Sequence, residues 1–395
     1  CMMEQSLRIS TLLKICQETS WACTCLESKG KRRRKLRRPA MFRLSITDEK
    51  WFGVVKALIA LAISLLITFV ALVITTENPV HAFVTLLTAP ITKVRYFGNV
   101  LEAMTPLVFT ALACSILFRC GMLNLGVGGI FYISGIATTY IATQVVIQNG
   151  FLHPVIAILG SGIFGGILMM IPGFLKAKFN TNIIVSTLML ESIYLGIGSW
   201  LIKGSLSADD ISIIASPLFA QTAKLNYIIP GTRITVGFCL AALAAVGMYI
   251  LINKTKLGYQ IRISGQNPNF AKYSGIAAFA LILLVHFISG FLAGVGSSVE
   301  LLSYHDRFTW SVVPKHGATG ILLAMMGENK VIPVMVATFG ISYLKIGAEI
   351  MSRSTAAPVE IISIIEATLV LLISSQYFLR GLRERRLMKE GLGNA

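Results

Sequence analysis

The chain has 395 residues, 55% of them hydrophobic and only 13% charged, with a mean hydropathy of +0.74. A soluble domain needs about a quarter of its residues charged to cover its surface, so the composition excludes an ordinary soluble enzyme and makes lipid the expected solvent. The formal charge of +17 reads as topology, with basic residues held on the cytoplasmic side, and not as nucleic-acid binding.

Residues 1–50 carry twelve Lys/Arg against five Asp/Glu and four of the seven Cys. KGKRRRKLRRP (29–39) is a solvated charge run. Residues 1–50 read as a basic N-terminal extension. Residues 1–40 read as a misplaced start or an appended remnant, with a basic cytoplasmic tail as the alternative. Cys23 and Cys25 have no later Cys/His cluster to complete a zinc site, and Cys114, Cys120 and Cys239 lie in apolar runs.

A spanning helix takes about 20 mostly apolar residues. Candidates run over 51–76, 101–119, 127–147, 152–175, 183–202, 231–253, 275–298, 311–327, 331–350 and 359–379. The fold class is therefore all-α: a polytopic membrane protein of about ten transmembrane helices. The eighth candidate is short and interrupted by Gly317 and Gly320, so it is expected to be broken or re-entrant. Lys176, Lys178, Lys254, Lys256, Arg262, Lys272 and Lys330 cluster on alternate loops, and Arg380, Arg383, Arg385, Arg386 and Lys389 gather at the C-terminal end, whose tail is 386–395. That bias places both termini in the cytoplasm. The stretches 77–100, 203–230 and 299–315 become outside loops, and the transmembrane domain is expected to occupy 51–385.

Between the sixth and seventh candidates lies TKLGYQIRISGQNPNFAKYSGI (255–276), a polar segment with no acid. Asn267 is a good N-cap and Pro268 suits the first helical position. Phe270 and Tyr273 are i,i+3 neighbours, and Ala271 with Gly275 leaves a smooth strip. Two readings stand: a connector at the lipid headgroups, or a lever that docks into a cytoplasmic partner.

The pattern T-x-x-G-x-x-x-R-x-x-G-x-N-x-x-A-x-x-x-G-I, carried by Thr255, Gly258, Arg262, Gly265, Asn267, Ala271, Gly275 and Ile276, resembles the coupling segment of permease subunits of bacterial ABC importers. The branch is the one handling nucleosides and simple sugars, related to ribose and branched-chain amino-acid permeases. FRCGMLNLGVGGIFYISG (118–135) is similar to that family's R-x-G-x-x-N-I-G-x-E-G-Q-x-x-x-G. PGFLKAKFNTNIIVSTLMLESI (172–193) and GATGILLAMMGENKVIPVMVATFGISYLKIGAEIM (317–351) resemble two further stretches of it. The chain departs where the family's Glu-Gly-Gln becomes Gly128, Gly129 and Ile130, and where an Asn becomes Glu191. The resemblance implies that segment 254–276 couples to an ATPase through Gly258, Arg262, Gly265, Asn267, Ala271 and Gly275. It also implies three partners in the bacterial inner membrane system: a cytoplasmic ATP-binding subunit, a second permease subunit and an extracytoplasmic solute-binding protein. ATP with Mg belongs on the ATPase, and this chain binds no cofactor of its own. It has no G-x-x-x-x-G-K-[ST] to cradle phosphates.

Within the membrane, each ionisable side chain calls for a reason. Glu191 is expected to line the path or hydrogen-bond between helices, His286 and Glu366 to be satisfied structurally, and Lys345 and Glu349 to form an ion pair. Asn124, Gly126, Ser186, Thr187 and Glu191 are the candidate path residues for a hydroxyl-rich solute. Gly162/Gly166 and Gly290/Gly294 are spaced for close helix packing. The alternative function is an ion-coupled secondary transporter of a small polar solute, which has no evident need for the 255–276 segment.

Overall fold

The computed structural model describes residues 63, 65–76, 78–145, 147–208, 215–229, 231–355, 363–364 and 367–368. Among them the regular structure is helical, with one isolated antiparallel bridge between Tyr227 and Thr235. The helices are α1 (Leu65–Thr75), α2 (Pro79–Thr92), α3 (Val94–Arg119), α4 (Val127–Gln144), α5 (Leu152–Phe179), α6 (Ile183–Lys203), α7 (Val236–Lys254), α8 (Lys256–Gln266), α9 (Pro268–Tyr273), α10 (Ala278–Tyr304), α11 (His316–Met326) and α12 (Val331–Ser354).

Six of these are long and apolar enough to cross a membrane: α3, α5, α6, α7, α10 and α12. The chain is a multi-pass membrane protein. The expected spans 101–119, 152–175, 183–202, 231–253, 275–298 and 331–350 fall on these six. The expectation over 51–76 is met only by α1 among the described residues, and that over 359–379 lies almost wholly outside them.

The centre of the bundle is α10 against α5, with α3 and α4 on its other sides. Small residues bring the two axes together. A Cβ at Gly290 would lie 2.3 Å from the Gly165 carbonyl oxygen, and one at Gly294 would lie 2.4 Å from the Ser161 carbonyl oxygen. The G-x-x-x-G pairs are thus helix-packing devices. Next to them, Thr138 and Ser298 share a hydrogen bond at 2.6 Å, and Ser298 bonds onward to Ser161. That chain of hydroxyls ties α4, α10 and α5 where no water is available to satisfy them.

Helix α4 is polar for a span, with three Thr and a Gln in 18 residues, and sits among α5, α6 and α10 with most of its residues buried. It meets protein on nearly every side, so it does not need the hydropathy of a lipid-facing helix. Helix α11, at 11 residues, is about 16 Å long and cannot cross a core of about 30 Å. The eighth segment is therefore a short buried helix, packed on α3.

The stretch 77–100 is not a loop. It holds α2 and the first two turns of α3, with Pro79 at the start of α2, where the missing N–H costs nothing. Pro90 lies in the last turn and removes the helical partner of the Leu86 carbonyl. That carbonyl faces α12, where a Cβ at Gly347 would stand 2.2 Å from it, and the neighbouring Leu87 carbonyl accepts from the Tyr343 hydroxyl. Pro90 thus leaves a carbonyl for a neighbouring helix. The stretch 299–315 is likewise helical up to Tyr304.

Candidate functional site

Two places in the bundle carry the candidate residues. The first is the helical hairpin α8–α9. Thr255 opens α8: its hydroxyl accepts from the Gly258 N–H at 3.1 Å and donates to the Leu251 carbonyl at the end of α7. Gly258 then packs so closely that a Cβ would lie 2.2 Å from the Ile252 carbonyl oxygen, and the same oxygen accepts from the Arg262 guanidinium. Gly265 rests on the end of α3, where a Cβ would lie 2.0 Å from the Arg119 carbonyl oxygen. Asn267 caps α9 as expected, its side chain accepting from the Phe270 N–H at 3.0 Å, with Pro268 in the first position. Gly275 adopts a left-handed φ of 77°, which turns the chain towards α10.

These contacts correct the expected smooth strip. Of that strip, Ala271 is buried, whereas Gly275 is exposed with nothing within 4 Å of where a Cβ would go; it is Gly258 and Gly265, pressed against backbone, that hold α8 onto α7 and α3. The outward face is aromatic: Tyr259, Phe270 and Tyr273 are all exposed, Tyr273 by 90%.

The second place lies where α4, α6 and α11 meet. Asn124 is fully buried. Its oxygen accepts from the Gly126 N–H at 2.8 Å, and its amide lies 3.8 Å from the Met169 sulfur. Thr187 accepts from the Leu125 N–H at 3.4 Å and donates to the Ile183 carbonyl at 2.8 Å. A Cβ at Gly126 would lie 3.0 Å from the Thr187 Cβ. Asn124, Gly126 and Thr187 thus form one knot that fixes the turn into α4, with their polar atoms engaged. Ser186 stands apart, half-buried, donating to the Asn182 and Ile183 carbonyls at 3.1 Å.

Glu191 lies one turn beyond Thr187, roughly 12 Å along α6 from its start. It is half-buried and makes no hydrogen bond to another described residue. It faces the first turn of α4: a Cβ at Gly128 would lie 3.2 Å from the Glu191 Oε1, and one at Gly129 would lie 2.8 Å from its Cα. The start of α11 reaches the same spot, where a Cβ at Gly317 would lie 2.3 Å from the Gly128 Cα. The starts of two helices therefore meet beside one carboxylate. The family resemblance has a Glu at position 128 and an Asn at 191. Here the carboxylate comes from the other side of the same contact.

Of the other ionisable residues, His286 is buried against Gly173, with its Nδ1 2.8 Å from the Ile282 carbonyl oxygen. Lys345 and Glu349 do not pair with each other; Glu349 lies within electrostatic reach of Glu102 instead. Glu366 lies outside the described residues. Two features went unread in the sequence. Glu300, in the last turn of α10, bonds His316 at 3.0 Å and has His305 at 3.8 Å, joining α10 to the start of α11. Arg119, at the end of α3, donates from Nε to the Asn329 carbonyl oxygen at 2.6 Å. An acid within a long apolar run was the available signal for the first; for the second, the Arg of the resembled motif.

Over residues 96–374 the chain matches the family described as branched-chain amino acid transport system / permease component. It is 26% identical to the nucleoside ABC transporter permease protein NupB of Lactococcus lactis, over 84% of this chain and 93% of that protein. It is 29% identical to the guanosine ABC transporter permease protein NupP of Bacillus subtilis, over 73% of this chain and 83% of that protein. It is also 26% identical to the glucose ABC transporter permease protein TsgB13 of Haloferax volcanii, over 85% and 90%. With a match across most of its length and the six membrane-crossing helices described above, the chain belongs to the family of branched-chain amino acid transport system permease components.

Proposed function

We propose that this chain is the permease subunit of an ATP-binding cassette importer that carries a nucleoside across the cytoplasmic membrane by alternating access. The observation that carries the reading is the α8–α9 hairpin. Three exposed aromatic side chains, Tyr259, Phe270 and Tyr273, stand on a capped helix pair that is anchored by close backbone contacts to α3 and α7. Aromatic side chains on a rigid support suit a groove in a partner protein, because they bury large area at little entropic cost. The partner is a cytoplasmic ATP-binding subunit that holds ATP and Mg. A second permease subunit and an extracytoplasmic solute-binding protein complete the system. Nucleoside is favoured over simple sugar because two of the relatives named above are nucleoside or guanosine permeases. The path is assigned to the Glu191 contact, where the starts of two helices meet beside an unpaired carboxylate that offers an acceptor to a hydroxyl-rich solute.

Uptake of radiolabelled guanosine by cells carrying the whole system tests this. Phe270→Ala with Tyr273→Ala is expected to reduce uptake by more than about tenfold while the chain still accumulates in the membrane, the size of losing two anchor side chains. Uptake that survives ATP depletion and follows the proton or sodium gradient would replace this reading with the ion-coupled one.

A further inference from the structure

We propose that Arg119 is the positioning residue that ties the α8–α9 hairpin to α11, and that α11 is the strut carrying the hairpin's displacement to the Glu191 contact. The inference rests on the importer reading above and extends it from the docking face to the interior.

The connection is continuous. Gly265 of α8 lies against the backbone of the α3 terminus: a Cβ there would stand 2.0 Å from the Arg119 carbonyl oxygen and 3.0 Å from the Gly121 nitrogen. No side chain intervenes, so a shift of α8 is transmitted to that terminus by direct backbone contact. From the same residue, the Arg119 Nε donates to the Asn329 carbonyl oxygen at 2.6 Å. That carbonyl is the only hydrogen-bond acceptor Arg119 has among the described residues.

Asn329 belongs to the tight turn that closes α11. Glu328 and Asn329 hold left-handed φ values of 49° and 58°, and the Asn329 N–H returns to the Ala324 carbonyl at 2.8 Å. The turn is wound onto the last residues of α11, so a pull on its carbonyl is a pull on the helix. Two non-glycine residues in succession in the left-handed region need a surrounding that fixes them, and the guanidinium provides part of it.

The far end of α11 is equally close to its neighbour. Gly317 meets Gly128 backbone to backbone, and Gly128 faces the Glu191 carboxylate. An 11-residue helix, about 16 Å long, thus has one end held by Arg119 and the other in the contact that carries Glu191. At the Gly317 end no layer of side chains intervenes, and at the other end the Arg119 side chain is itself the link. Arg262 lies within electrostatic reach of Arg119, and its own guanidinium is bonded to the Ile252 carbonyl. The two arginines do not compete for one acceptor.

The test is made on the complete complex in proteoliposomes, measuring guanosine uptake and ATP hydrolysis on the same preparation. Arg119→Gln keeps much of the stem but loses the charged donor. Its expected effect is continued ATP hydrolysis with uptake per ATP about tenfold lower, the scale of one charge-assisted hydrogen bond. Arg119→Lys, which can still donate to the same carbonyl, is expected to recover most of the ratio. An unchanged ratio in Arg119→Gln overturns the proposal. A parallel loss of uptake and hydrolysis in both Arg119 variants also overturns it, because it makes the residue merely structural. If wild-type uptake proceeds without ATP, the importer reading itself fails, and the wild-type control alone reveals it.

Discussion

The contact between Gly128 and Glu191 shows how a departure from a family pattern is absorbed at one spot. A carboxylate at position 128 would press against Glu191, since even a Cβ there lies 3.2 Å from Oε1. Two carboxylates brought side by side in a poorly solvated place repel strongly. Gly128→Glu alone is therefore expected to lower uptake by at least about tenfold, or 1.4 kcal/mol. Gly128→Glu combined with Glu191→Asn moves the carboxylate across the contact and is expected to restore most of the activity. Uptake assays on the two single variants and the double variant supply the cycle, and additive losses would show that the positions do not interact. At this scale the sequence was informative about chemistry and silent about direction. The Asn267 cap and Pro268 were readable because capping is local. That Ala271 and Gly265 face inward was not, because spacing on a helix defines a face without saying what covers it.

At the scale of elements, the six long helices were legible because each is a run of apolar residues long enough to register by hydropathy alone. Helix α2 was not. Its stretch reads as an outside loop, whereas one proline sits at the helix start and the other presents a freed carbonyl to α12. The glycines separate into two groups that the sequence cannot distinguish. At the α5–α10 contact Gly290 and Gly294 have a backbone carbonyl where a Cβ would go, while a Cβ at Gly247 of α7 would meet nothing within 4 Å. Gly290→Leu is expected to cost about 3 kcal/mol, because the obstructing group is a helix carbonyl that cannot rotate away. Gly247→Ala is expected to change stability by less than about 1 kcal/mol. Thermal unfolding of the purified chain in detergent distinguishes them; equal losses at both positions would mean that the close approach of α5 and α10 does not limit stability.

For the whole molecule, the question is what covers its outer faces. Helix α7 exposes Leu243, Val246 and Ile250 with no charged side chain between them, a surface that lipid satisfies. Helix α6 exposes Leu188, Met189 and Ile193, but among them lies Glu191, half-buried and without a hydrogen-bond partner among the described residues. A charge near the middle of a span costs about 2.5–3.5 kcal/mol against lipid, so the α6 face calls for protein or water where the α7 face does not. On the proposed reading, that protein is the second permease subunit, with the transport path between the two. In a cysteine-depleted background, Cys introduced at Met189 is expected to cross-link to the second permease chain, whereas Cys at Leu243 should label only with lipid-phase reagents. The opposite pattern would move the subunit contact to α7 and leave Glu191 facing a path that lies within a single chain.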